Sequence, residues 1–470
     1  MYKNAGSALR AAYAGGHWQT ELREMVRLAT PIVLTQFSWV LMLITDTAMI
    51  GRLGANPLAG ASLSLMTFFF AYVACVGIVT ATAGLAAQAY GARKPRMLRR
   101  VIRQGLWITI LLTFPALLLF GFTTDLLILL GQPPESLPYA EAYMSTLKYC
   151  LPPAIAFAVL RNFVAALNRP AMALWVMSAA VPLNAFLDYV LIFGKFGFPR
   201  LELVGAGIAT TAVNVAMFLT LLAVAVYRKP FRRYAILRRF WRPDWYQFRR
   251  IFRIGLPISG VMLLEGGFFI GAVFLAGQFG ATVIAAHMIA IQLPHVTFMV
   301  PQGLAQAATV RVGQAVGRRD VTGAYRAGWT AFGLTLAFMS VMTVVVLAIP
   351  ELFASLFLDR DRPDSAAVLA LAASFLLYAA FFQAADGIQA VATGALRGLN
   401  DTAVPMMLAA ISYWGVGLVS GIWFAFEGGM EGAGLWLGFV FGLSSAAIVL
   451  TWRFRAMNKR GYLPDLPPSD

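Results

Sequence analysis

Four acids stand where a carboxylate is costly. Asp46, Asp188, Glu265 and Asp386 each fall inside a long apolar run. An ionisable side chain at membrane depth is unfavourable by about 2.5–3.5 kcal/mol on insertion scales, so each is a functional candidate. Amides accompany them at helical spacing. Asn184 precedes Asp188 by four residues, while Gln383 and Gln389 lie three residues to either side of Asp386. Each set therefore shares a helix face. Glu265 lies roughly 18 Å into its run at 1.5 Å per residue, near a bilayer midplane. A carboxylate so placed can hold a proton, a sodium ion or a cationic substrate, and these compete. Structural roles stay open as well. Asp46 is close to the outer end of its run and could be interfacial. Asp188 could pair with Arg161, the one basic residue well inside the fourth run, and Asp386 could satisfy local amides. Glu265 has no evident partner.

The elements that must position these groups are membrane-spanning helices. Of 470 residues, 60% are hydrophobic and 12% charged, against roughly 25% charged in a soluble domain. That excludes an ordinary soluble enzyme, a disordered chain and a coiled coil. Apolar runs long enough to span fall near 27–50, 58–88, 102–122, 144–167, 172–194 and 204–227. A second set lies near 253–277, 282–313, 325–349, 366–396, 404–426 and 433–454. The net charge of +16 is not a nucleic-acid signature, because its basic residues collect in alternate connections. Arg93, Lys94, Arg96, Arg99 and Arg100 follow the second run, and a dense basic segment follows the sixth. Arg318 and Arg319 follow the eighth, and Arg453, Arg455, Lys459 and Arg460 close the last. The positive-inside rule then makes both termini and the central connection cytoplasmic. An even number of spans satisfies that parity. Residues 1–26 contain no apolar segment of signal-peptide type, so they read as a cytoplasmic tail, as do residues 456–470.

The chain also aligns with itself. At an offset of 226 residues, Arg27 and Pro31-Ile32 match Arg253 and Pro257-Ile258. Gly51, Gly54-Ala55 and Ala59 match Gly277, Gly280-Ala281 and Ala285, and Gln88-Ala89, Gly91 and Arg93 match Gln314-Ala315, Gly317 and Arg319. Six spans per copy is even, so both copies enter from the same side as parallel repeats. This predicts two six-helix lobes, 27–227 and 253–455, joined by a basic linker at 228–252. Two like bundles around a shared cleft suit an alternating-access carrier.

Other features are weaker. Cys75 and Cys150 form no metal or disulfide pattern and read as packed side chains. His287 and His295 read as packed or hydrogen-bonded rather than as a relay, and Gly267 with Gly271 as a close-packing GxxxG. Pro294 and Pro301 lack counterparts in the second span (Phe68 and Cys75), which predicts a bend confined to the eighth. Phe68-Phe69-Phe70 and Phe268-Phe269 could face a cleft or lipid. Asp359, Asp361 and Asp364 form an acidic loop cluster, read as solvated. No GxxxxGK[ST], HExxH or GxSxG is present, so neither an ATP-driven pump nor a membrane hydrolase is supported. An ion gradient is the energy source that remains.

Motifs along both halves resemble those of the multidrug and toxic compound extrusion family. Asp46-Thr47-Ala48-Met49-Ile50-Gly51-Arg52 resembles its first-helix motif, and Leu256-Pro257 through Glu265 its seventh-helix segment. Ala286-His287-Met288-Ile289-Ala290, Pro301 and Arg311-Val312-Gly313 continue the match. So do Gln383, Asp386-Gly387-Ile388-Gln389, Gly394-Ala395-Leu396-Arg397-Gly398 and Asp401-Thr402. Glu265 together with Asp386 is similar to the NorM-type branch. The resemblance implies an all-α, V-shaped carrier of twelve helices exporting organic cations in exchange for Na⁺ or H⁺. It assigns Glu265 and Asp386 to a cation site in the second lobe. Asp46, Asn184 and Asp188, with Thr210 as a fourth ligand, would form a site in the first. Phe382 stands where some relatives carry tyrosine, so that position offers no hydroxyl.

The sequence thus predicts a prokaryotic inner-membrane antiporter for cationic drugs or dyes, with no cofactor beyond its coupling ion. It is expected to work as a monomer and to bind no nucleic acid. A major facilitator carrier or a lipid-precursor flippase is the alternative.

Overall fold

The computed structural model describes residues 15–350, 353 and 365–465. The acidic cluster Asp359, Asp361 and Asp364 lies outside them. Twelve helices among the described residues are long and apolar enough to cross a membrane. Spans one to six are His17–Gly51, Ala55–Gly91, Pro95–Gly121, Pro134–Ala166, Ala171–Phe193 and Glu202–Tyr227. Spans seven to twelve are Trp245–Phe279, Ala281–Gly317, Val321–Ala348, Ala367–Gly398, Ala403–Glu427 and Glu431–Lys459. Large apolar side chains such as Phe114, Leu118 and Ile448 are exposed along these helices, as a lipid-facing surface requires.

Each repeat carries the same local signals. Gly54 and Gly280, repeat mates, precede spans two and eight with φ of 118° and 102°. L side chains rarely adopt that backbone conformation, which explains glycine at both. Arg93 and Arg319, also mates, close spans two and eight in the left-handed conformation. The next amides, of Lys94 and Asp320, donate back to Ala89 and Ala315 carbonyls at 2.9 Å, capping both helix ends alike. The copies differ where the prolines differ. Span two is unbroken, whereas span eight is interrupted at Phe298, between Pro294 and Pro301.

Spans one and seven begin earlier than their apolar runs, at His17 and Trp245. The added turns at the start of span one are polar, and one of their charges is tied to another helix. Glu21 takes a two-pronged ion pair from Arg311, at 2.9 and 2.6 Å. Arg453 binds Asp401 in the same way, at 2.6 and 3.2 Å.

The chain forms two compact units. Leu34–Ser259 is one, and the described residues on either side of it form the other. Spans one and seven are each divided between them. Within Leu34–Ser259, the early turns of span seven pack on span two so closely that neither Gly77 (against Ser259) nor Gly255 (against Ile78) has room for a Cβ. Ser259 donates its hydroxyl to the Ala74 carbonyl at 2.8 Å. In the other unit Gly303, the repeat mate of Gly77, packs in the same manner on Val33.

Spans eleven and twelve of that unit meet backbone to backbone. A Cβ on Gly438 would lie 2.6 Å from both the Gly417 oxygen and the Gly421 Cα. Gly434, Gly438 and Gly442 repeat every fourth residue and present one small face. The GxxxG expected at Gly267 and Gly271 is only half used. Gly267 faces the Trp414 ring, while nothing lies within 4 Å of a Cβ on Gly271.

Candidate functional site

Span ten brings two of the three side chains on its predicted polar face to one place. Asp386 and Gln389 are buried, and the Gln389 amide nitrogen donates both to Glu265 of span seven, at 2.9 Å, and to Asp386, at 3.2 Å. One amide thus bridges two acids from different helices. Its own oxygen accepts from the Tyr413 hydroxyl at 2.8 Å, which fixes which end of the amide faces the carboxylates. Tyr413 comes from a π-helical stretch of span eleven, Ile411–Leu418, and its ring stacks on Phe268. A small cavity beside this bridge is lined by Glu265, Gln302, Gln389, Thr393 and Arg397, together with apolar residues. The Arg397 Nε is buried without a hydrogen-bond partner. Oxygens from two carboxylates suit a proton or a hard cation, and Arg397 opposes any excess positive charge.

Gln383 is not part of this arrangement. Its amide oxygen accepts from Thr297 at 3.3 Å and its nitrogen donates to Thr343 at 3.4 Å. Phe382 is fully buried in an aromatic cluster with Phe269, Trp436 and Phe439. His287 packs against Trp436 and Phe439, while His295 is exposed.

The second constellation lies in Leu34–Ser259. Asn184 and Asp188 of span five are fully buried and Asp46 of span one is 6% exposed, so all three side chains lie inside the protein. The Asn184 amide donates to Asp46 and, at 2.9 Å, to Asp188. Thr210 lies close to Asp46, and in this arrangement its hydroxyl proton goes to the Ala206 carbonyl at 3.0 Å. Asp188 does not pair with Arg161. Its partners are Asn184 and Asp46, and the Arg161 Nε is buried with no partner. The Oδ1 atoms of Asn184 and Asp188 are buried acceptors that receive no hydrogen bond. Two abutting carboxyls repel when both are ionised, and a shared proton or a bound cation relieves that.

Both constellations therefore have one design, an amide donating to two acids. The repeat does not explain it. The position matching Asp46 is Ala272, and the position matching Glu265 is Trp39. Sequence reasoning missed Tyr413, Arg397 and Tyr143, whose buried hydroxyl lies near Asp46 and Asp188. Arg397 stood in the motif run 394–398 without a role, and nothing in the sequence singled out either tyrosine. Among the described residues no three His, Cys, Asp or Glu side chains converge as a metal site.

The model of the family described as MatE matches residues 31–190 and again 257–423, two copies starting at the repeat-related prolines. The chain belongs to the MatE family. It is 43% identical, over 93% of its length and 94% of theirs, to a probable multidrug resistance protein NorM of Mesorhizobium japonicum. A Brucella suis protein of the same description is 41% identical over 93% of each chain. Among solved structures, a mutant of the Vibrio cholerae MATE transporter VcmN superposes with a TM-score of 0.84 at 18% identity, covering 94% of this chain and 98% of that one. A MOP superfamily transporter from Pyrococcus furiosus, described as having a binding pocket of reverse polarity, gives 0.83 at 20% identity, covering 94% and 96%. These likenesses carry the twelve-helix fold. The protein is a multi-pass membrane transporter of the NorM type, not an enzyme.

Proposed function

We propose that this MatE transporter exports amphipathic, mostly cationic compounds in exchange for Na⁺ or H⁺. Both termini would lie on the cytoplasmic side of a prokaryotic inner membrane. The observation that carries the reading is the Gln389 amide shared between Glu265 and Asp386. Acids held this way can be neutralised by a proton or Na⁺, or by the positive charge of a substrate, but not by both at once. Binding of the coupling ion then releases the substrate, and loading of substrate releases the ion. The Asp46–Asn184–Asp188 group would be a second cation-responsive site. The multidrug descriptions of the NorM relatives support a broad range of cargo. One charge moving down 100 mV supplies about 2.3 kcal/mol, enough for a roughly 50-fold substrate gradient.

The test is ethidium-type dye movement in proteoliposomes under an imposed Na⁺ gradient or an imposed pH gradient. Wild type should move dye under one of them, and Glu265→Gln and Asp386→Asn should lose coupled movement while remaining folded. Normal gradient-driven efflux by both variants would overturn the site. Absence of wild-type flux under either gradient, with folded protein, would overturn antiport.

A further inference from the structure

We infer that the connection between spans six and seven, with the start of span three, forms a binding site for the headgroup of an anionic phospholipid. The segment between Tyr227 and Trp245 is basic, but it is folded rather than loose. Its Phe231, Tyr234 and Ile236 side chains are buried. Span three reaches out to its backbone. Arg103 donates to the Arg239 carbonyl at 3.0 Å, Trp107 donates to the Phe240 carbonyl at 2.8 Å, and the Trp107 ring stacks on Phe240. Ala235 and Arg239 are held at positive φ, a conformation that persists in non-glycine residues only where the surroundings fix it.

That scaffold gathers like charges. Arg99 lies within electrostatic reach of Arg96, Arg100, Arg238 and Arg239, and Arg103 of Arg99, Arg100 and Arg242. Among the described residues, one acid faces the group. Asp244 meets the Arg100 Nε at 3.7 Å, a long contact for an ion pair. Arg103 is 7% exposed and its Nε has no partner. Arg96, Arg238, Arg239 and Arg242 are exposed. Guanidiniums fixed side by side repel unless an anion lies among them, and a phosphodiester oxygen is the planar fork's natural partner. The setting selects a lipid as the source. Trp241 and Trp245 are 75% and 70% exposed beside the arginines, as interfacial anchors at headgroup depth are. Basic pockets on the cytoplasmic side of membrane helices are where such headgroups dock. This site is separate from both carboxylate constellations and does not depend on the coupling ion.

The experiment is native mass spectrometry of the full chain, titrated with dioleoylphosphatidylglycerol or with dioleoylphosphatidylcholine, which has the same acyl chains. Wild type should retain the anionic lipid preferentially, and less so as salt rises. Arg238→Gln, Arg239→Gln and Arg242→Gln together should weaken that retention on the order of 100-fold, from the near-surface value of three basic side chains. Phosphatidylcholine adducts and the unfolding temperature in phosphatidylcholine should not change. Arg238→Gln alone should weaken retention about 5-fold and serves if the triple variant misfolds. Equal retention of the two lipids by wild type, or unchanged retention by the variants, would overturn the proposal. So would displacement by glycerol phosphate at concentrations comparable to the lipid, which would mark a soluble-anion site instead.

Discussion

Replacing Tyr413 by phenylalanine isolates what holds the amide bridge in place. The ring should stay where it is, because it is fully buried and stacked on Phe268 with planes 9° apart. Only the hydroxyl goes, and with it the 2.8 Å bond to the Gln389 oxygen. That oxygen then becomes a buried acceptor without a donor. Leaving such a group unsatisfied costs about 1–3 kcal/mol, or roughly 5- to 150-fold in an equilibrium constant. The amide can also turn over, offering its oxygen to two acids that now receive its nitrogen. Either response disturbs the geometry that a cation would meet at Glu265 and Asp386. The expected result is a roughly tenfold rise in the coupling-ion concentration giving half-maximal dye efflux from proteoliposomes, with the maximal rate within about twofold of wild type. An unchanged half-saturation would refute the claim that Tyr413 orients the bridge. Complete loss of efflux by folded protein would refute it differently, by making the hydroxyl itself essential to transport.

Three further outcomes are expected. Gln383→Leu should shift the half-saturating ion concentration less than Gln389→Leu, because its amide serves Thr297 and Thr343 rather than the acids; parallel flux assays of the two variants would show equal shifts if that separation is wrong. Gly438→Leu should sharply lower the unfolding temperature, since its Cβ would press on the backbone of span eleven, whereas Gly271→Leu has open space and should not; thermal unfolding followed by size exclusion compares them. Arg311→Gln should destabilise by about 3–5 kcal/mol, the cost of stranding one half of a largely buried pair, and adding Glu21→Gln should restore part of it. A double-mutant cycle in denaturant with additive effects would contradict that pairing.

The spans could be read from sequence because about 20 apolar residues in a row have few other stable uses in a membrane protein. Their ends were less legible. The start of span one carries Glu21 and Arg23, which look like a tail until Glu21 is seen to meet Arg311, 290 residues away. The four acids declared themselves by type, and their companions on the same helix by spacing. What spacing cannot supply is the partner from another helix. Nothing local distinguishes Tyr413, which meets Gln389, from tyrosines that line no site. Gln383 had the right spacing and the wrong neighbours. The glycine contact was written in the chain at 434, 438 and 442, but Gly267 and Gly271 show the same pattern and only Gly267 is packed. Small residues permit close approach; the opposing surface decides whether it happens.

The division of spans one and seven has a consequence for how the chain is made. Leu34–Ser259 cannot complete its packing when span six leaves the ribosome, because Ser259 and Gly255 still have to be synthesised and inserted. The opening turns of span one face a longer wait. Their partners, Gly303 for Val33 and Arg311 for Glu21, emerge only with span eight. Glu21 therefore spends much of translation without the arginine that neutralises it. Assembly in domain-by-domain order, the usual course for a multidomain chain, is closed to this one. Cutting the chain in the basic connection would separate each unit from a helix segment it needs. The two fragments should accumulate as folded protein only when they are produced together.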